Sequence, residues 1–142
     1  VCAFVLKTFG RKEFSGFDGD RVFVENSYAN KLYSKLRSSL GGLYHWRATA
    51  AKSPEEQKRM TAEADFAFRQ AFAFCPYSPE ATFRYINLLV SAGRLEDATS
   101  LAGAAQALEL FQAEKGGFVR HRKPEFQVSL CVDCGPGTGE RK

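Results

Sequence analysis

The 142-residue chain has no run of about 18 consecutive apolar residues, so nothing in it reads as a membrane-spanning helix. Its opening, VCAFVLKTF, is too short for a span and lacks the layout of a signal peptide. Cysteine is scarce: Cys2, Cys75, Cys131 and Cys134 are too few and too scattered to staple a small disulfide scaffold. Cys75, in an aromatic-rich stretch, reads as a small buried hydrophobe. Histidine is scarcer still. Beside His45 and His121 there is no strained elbow or paired signature that would mark a nucleophile. A leading Met is also missing, and a chain that opens on Val reads as a piece of a longer protein. Finally, the folded body lacks an excess of either charge. Residues 1–114 hold 14 Lys/Arg against 13 Asp/Glu, while residues 115–142 hold 6 against 3 and carry most of the net +4. Nucleic-acid binders cluster basic residues on a folded face, so this distribution argues against that class.

What is present is an ordinary globular composition, 44% apolar and 25% charged, long enough for one domain with a real core. Residues 1–30 mix a short apolar opening, a loop-like SGFDGD (15–20) and RVFVE, which is ambiguous between strand and helix; they read as a capping segment. From residue 31 to 114 helical periodicity dominates. Leu32, Leu36, Leu40, Leu43 and Tyr44 recur at three- and four-residue spacing and share one helical face, on a helix expected to end near Ala51. Ser53-Pro54-Glu55-Glu56 is a helix start, with a capping serine, proline at the first helical position and Glu56 closing a capping box. That start predicts a helix over 54–74 with Ala64, Ala67, Phe68, Ala71, Phe72 and Cys75 on one side. Ser78-Pro79-Glu80 repeats the signal for a helix over 79–91, stopped at Gly93. A fourth runs from about Leu95 to Glu114, with Leu95, Ala98, Leu101, Ala102, Ala105 and Leu108 in register. The expected fold is therefore all-α, two antiparallel helix hairpins with the first elongated. Residues 115–142 read as a basic, Gly-rich, flexible tail.

Several strings carry a family likeness. Leu40-Gly41 with Tyr44, then Ala64, Phe68, Ala71 and Pro76, resembles the small–large–small pattern of a tetratricopeptide repeat, and SAGRLEDA (91–98) looks like the turn of the next unit. The usual tryptophan is absent, with Thr82 in its place beside Phe83, and about eleven extra residues separate Tyr44 from Ala64. A generic four-helix bundle is the plainer alternative; Ala64, Ala71, Ala98 and Ala105 at the crossing positions favour the repeat. Two units alone leave faces uncovered, which residues 1–30, a homodimer or a longer parent chain would cover. RVFVENSYANKLYSKLRSSLGG (21–42), EADFAFRQAFAFCPYSPEA (63–81) and FRYINLLVSAGRLEDA (83–98) are similar to the soluble C-terminal region of bacterial polytopic membrane proteins resembling protein O-mannosyltransferases. That resemblance implies a catalytic transmembrane part upstream, a place on the periplasmic side, and no catalytic residue in this chain.

The chemistry-bearing candidates are few. Cys131-x-x-Cys134 has zinc-knuckle or redox spacing, but no second ligand pair follows and the strand–helix setting of a redox dithiol is missing. Glu55-Glu56 and Glu96-Asp97 fall at helix N-termini, where the macrodipole favours them. No cofactor is expected. What remains is a contact face: in repeats of this kind the first helices line the concave side. That register places Lys35, Ser38, Gly42 and His45 from one unit beside Phe83, Arg84, Asn87 and Ser91 from the next. Arg84 and Asn87 suit a carboxylate or peptide backbone, and Phe83 an apolar anchor. The sequence thus points to a noncatalytic protein-interaction or scaffolding module. A homodimerisation module, and nucleic-acid or zinc binding through the tail, are the alternatives.

Overall fold

The computed structural model describes residues 1–115, which are all-α, with no strand among them. A short α1 (Cys2–Val5) runs straight into a π-helical turn over Leu6–Gly10. Then come α2 (Arg21–Glu25), α3 (Ser27–Thr49), α4 (Pro54–Phe74), α5 (Pro79–Ser91) and α6 (Leu95–Lys115). No helix among the described residues is long and apolar enough to cross a membrane. The remainder of the expected tail, with His121, Cys131 and Cys134, lies outside the described residues.

The helix boundaries follow from local chemistry. Ser53 Oγ accepts from the Glu56 N–H at 3.2 Å and Ser78 Oγ from the Ala81 N–H at 3.3 Å, with a proline opening each helix. Two further caps decide the ambiguous segment. Asp20 Oδ1 accepts from Val22 N–H at 2.8 Å, which makes RVFVE a helical turn, and Asn26 Oδ1 accepts from Ala29 N–H at 3.0 Å, which starts α3 at Ser27. α5 stops in a Schellman turn: Gly93 takes φ 73°, its N–H donates to Val90 O at 3.0 Å, and Arg94 N–H donates to Leu89 O at 2.8 Å.

α3 and α4, joined only by residues 50–53, pack along their length. α5 packs on α4 and also touches α3, α6 packs on α5, and the α1–π segment leans on α6. Phe68 and Phe72 of α4, Tyr85, Leu88 and Leu89 of α5, and Ala98, Leu101, Ala104 and Leu108 of α6 form the core, joined by Val5, Phe9 and Val24. The segment before α2 is fastened through Gly10, where a Cβ would stand 3.1 Å from the Phe111 ring, and by Tyr77 Oη donating to Phe9 O at 3.3 Å.

α3 turns its small side inward. Asn30, Ser34, Ser38, Gly41 and Ala48 are buried, whereas Leu32, Leu36 and Leu43 are each more than half exposed and Leu40 and Tyr44 lie at the margin. The leucine face read from the sequence is thus the outward one. The reason is steric: Phe68, 3% exposed, points its ring at α3, and a Cβ on Gly41 would stand 2.8 Å from Phe68 Cδ1. Only a hollow accepts that ring at this helix separation; a row of leucines would hold α3 away. The close approach has a local penalty, since the Ser34 and Ser38 hydroxyls and Asn30 Oδ1 are buried with no hydrogen-bond partner among the described residues.

Two glycine-to-alanine changes separate this contact from helix propensity. Gly103 in α6 has nothing within 4 Å of its Cβ position. Gly103→Ala is therefore expected to stabilise by about 0.5–1 kcal/mol. Gly41→Ala gains the same propensity but overpacks a buried ring, at about 1–3 kcal/mol, so urea unfolding should show a net loss.

Candidate functional site

α3 and α5 touch, and Gly42 of α3 faces Arg84 of α5. A Cβ on Gly42 would stand 3.4 Å from Arg84 Nη1, an ordinary van der Waals distance, so the guanidinium lies directly beside α3 there. Phe83 is 58% exposed, Lys35 and Asn87 are exposed, and His45 is half-buried. Arg84 Nη2 pairs with Glu80 Oε1 at 2.8 Å one turn back on its own helix. Ser38 is not available on the expected contact face, because it is buried. Ser91 is exposed, but its hydroxyl donates to Leu88 O at 2.8 Å. Of the residues expected on the contact face, Lys35, Gly42, His45, Phe83, Arg84 and Asn87 remain at least partly exposed.

A second cluster has no counterpart in the sequence reading. Asp65, in the middle of α4, is buried. Its Oδ1 accepts from Arg94 Nη1 at 2.7 Å and from Tyr85 Oη at 3.2 Å, and its Oδ2 accepts from Arg69. Arg94 also donates through Nε to Asp97 Oδ2 at 2.7 Å. The Schellman turn explains the reach, because it sets Arg94 directly behind Gly93, between α4 and the first turn of α6. A cavity of about 460 Å³ opens beside the cluster, lined in part by Gln57, Lys58, Thr61 and Arg94.

The chemistry of this cluster is that of a clasp. Burial pushes the Asp65 carboxyl up, but hydrogen bonds and charge from Arg69 and Arg94 outweigh it and hold the pKa below the ordinary aspartate value. Burial, reinforced by the nearby carboxylate, pushes the Tyr85 hydroxyl up. A carboxylate whose two oxygens are both engaged, with a depressed pKa, is a poor proton acceptor near neutrality. Cys75 is equally inert: burial raises its thiol above the usual value. Among the described residues no group of three His, Cys, Asp or Glu is placed to hold a metal ion.

Neither protein-family models, nor curated proteins, nor solved structures return a match to the chain.

The clasp makes stability pH-dependent with a definite sign. Because the folded pKa of Asp65 is depressed, its contribution is full above the ordinary aspartate value, about 3.9, and is lost as the pH falls through the lowered value. The side chains of Arg69 and Arg94 are 50% and 43% exposed. Water screens part of the attraction, so Asp65→Asn should cost about 1–3 kcal/mol at pH 7. Urea titrations of the two proteins should converge below about pH 4; a constant gap would mean the carboxylate charge plays no part.

Proposed function

We propose that the chain is a noncatalytic interaction module, two helix hairpins stacked in tetratricopeptide fashion, that holds an extended peptide or a protein segment along the α3–α5 seam. The observation that carries this reading is the seam itself. Phe83 presents more than half of its surface beside Arg84, whose guanidinium lies against α3 at Gly42. A large apolar anchor, a charged donor and a neighbouring amide, Asn87, are the elements that grip a peptide carboxylate and one apolar side chain. The Arg84–Glu80 pair is solvent-exposed on both sides and therefore weak, so an incoming carboxylate can replace it.

The stacking is supported by the order in which the helices touch, α3 with α4, α4 with α5, α5 with α6, and α3 with α5. Of the four alanines expected at crossings, Ala64, Ala71 and Ala98 are buried, which supports it further, while Ala105 is only partly buried. Placement as the periplasmic soluble arm of a membrane-bound glycosyltransferase-like protein is the finer form of this proposal and rests on the resemblance of residues 21–98 alone.

Selection from a displayed library of random peptides tests the seam. Enriched peptides are expected to share an acidic residue or free carboxyl terminus and an apolar residue. Their affinity should fall about tenfold or more with Arg84→Ala and with Phe83→Ala, in line with the loss of a charge-assisted hydrogen bond or an aromatic anchor. Peptides that bind both variants as well as the parent chain would remove the seam from the account.

A further inference from the structure

The outward side of α3 carries more exposed apolar surface than a solvated helix face requires. Tyr28 (76% exposed), Leu32, Leu36, Leu43 and Trp46 (64% exposed) fall within about a third of the helix circumference. Tyr28 and Trp46 stand at its two ends, about five turns or on the order of 27 Å apart, with the leucines between them. The charged residues of this helix are all basic: Lys31, Lys35, Arg37 and Arg47, with no Asp or Glu anywhere from Ser27 to Thr49. Arg47 lies 3.7 Å from Glu56, while Lys31, Lys35 and Arg37 form no ion pair among the described residues. On the helical wheel Lys31 and Lys35 border one side of the stripe and Arg47 the other, while half-buried Arg37 lies well away from it.

We propose that this face docks on an anionic lipid bilayer, with α3 lying in the plane of the membrane interface. Charge selects the occupant. A second copy applied to the same face would bring identical cations together, whereas an anionic surface neutralises both borders of the stripe. Shape and chemistry select a bilayer among anionic partners. The stripe is a ridge along one straight helix rather than a groove. Its ends are the two side-chain types that combine an apolar ring with a polar tip suited to the headgroup level. Leucines inward with Lys and Arg at the margins is the pattern of a helix that lies on a membrane without crossing it. On the helical wheel Gly42 lies next to the Lys31–Lys35 border, so the α3–α5 seam adjoins the docking face and shares Lys35 with it.

The chain contains one tryptophan, Trp46, which reports on the face directly. The full chain is mixed with vesicles of phosphatidylcholine alone or of phosphatidylcholine with phosphatidylserine, and followed by co-sedimentation and Trp46 fluorescence. Expected are phosphatidylserine-dependent, salt-sensitive binding, a blue shift of Trp46 emission and protection from iodide quenching. Leu36→Glu should reduce partitioning about tenfold or more by placing a charge in the apolar stripe. The Lys31→Glu, Lys35→Glu double variant should lower it by at least about fivefold per residue. Circular dichroism checks that the variants stay folded, and the wild-type Trp46 shift stands without them. Four results would overturn the proposal: no preference for phosphatidylserine; unchanged binding by folded Leu36→Glu, which assigns the affinity to residues 116–142; a Trp46 shift with an acidic helical peptide but not with vesicles, which assigns the face to a protein; or a concentration-dependent shift without lipid, which assigns it to a second copy.

Discussion

The contact between Gly41 and the ring of Phe68 sets how closely α3 approaches α4. A glycine facing a buried aromatic lets α3 approach α4 far more closely than side chains of ordinary size permit. Ser34, Ser38, Gly41 and Ala48 on α3 then face inward, while Leu32, Leu36, Leu43 and Trp46 are turned away from the core. The contact therefore acts twice: it seats Phe68 among Tyr85 and the α5 and α6 residues that form the core, and it gives the outward surface its composition. The stacked Phe68 and Tyr85 rings, 6.4 Å apart, carry the same register onward to α5.

Tyr85 links that apolar contact to the polar clasp. Its ring lies against Phe68 while its hydroxyl reaches Asp65, one turn earlier on α4. Asp65 in turn gathers Arg94 from the α5–α6 turn, so a single carboxylate ties α4, α5 and the start of α6 together. A buried ion pair of this kind adds little stability over a well-packed apolar substitute, but one partner left alone is costly. Through Arg94, which also donates to Asp97, the same cluster reaches the first turn of α6.

Much of this was legible in the chain. Ser53-Pro54 and Ser78-Pro79 name two helix starts because a hydroxyl cap followed by a proline has few other uses, and Gly93 names a stop because few other residues adopt its positive φ. α2 was legible in principle, since Asp20 and Asn26 are good caps, but the β-branched and aromatic RVFVE obscured them. The direction of the leucine face was not legible. Periodicity identifies a stripe, not what covers it, and the small residues opposite it were the better clue. Asp65 was hidden for another reason: its partner Arg94 lies 29 residues away, at a distance no motif spacing records. The signal that could have found it is a lone acid among Ala64, Phe66, Ala67 and Phe68, which must be paired if it is buried.

The central claim is that α3 and α4 touch through a hollow at position 41 filled by the ring at position 68. A double-mutant cycle with Gly41→Ala and Phe68→Leu, read by urea unfolding, tests it most directly. In the Phe68→Leu background the added methyl should be neutral or stabilising, leaving a coupling energy of about 1 kcal/mol or more. Effects that add within about 0.5 kcal/mol would show that the two residues do not meet, and the packing described for α3 would not stand.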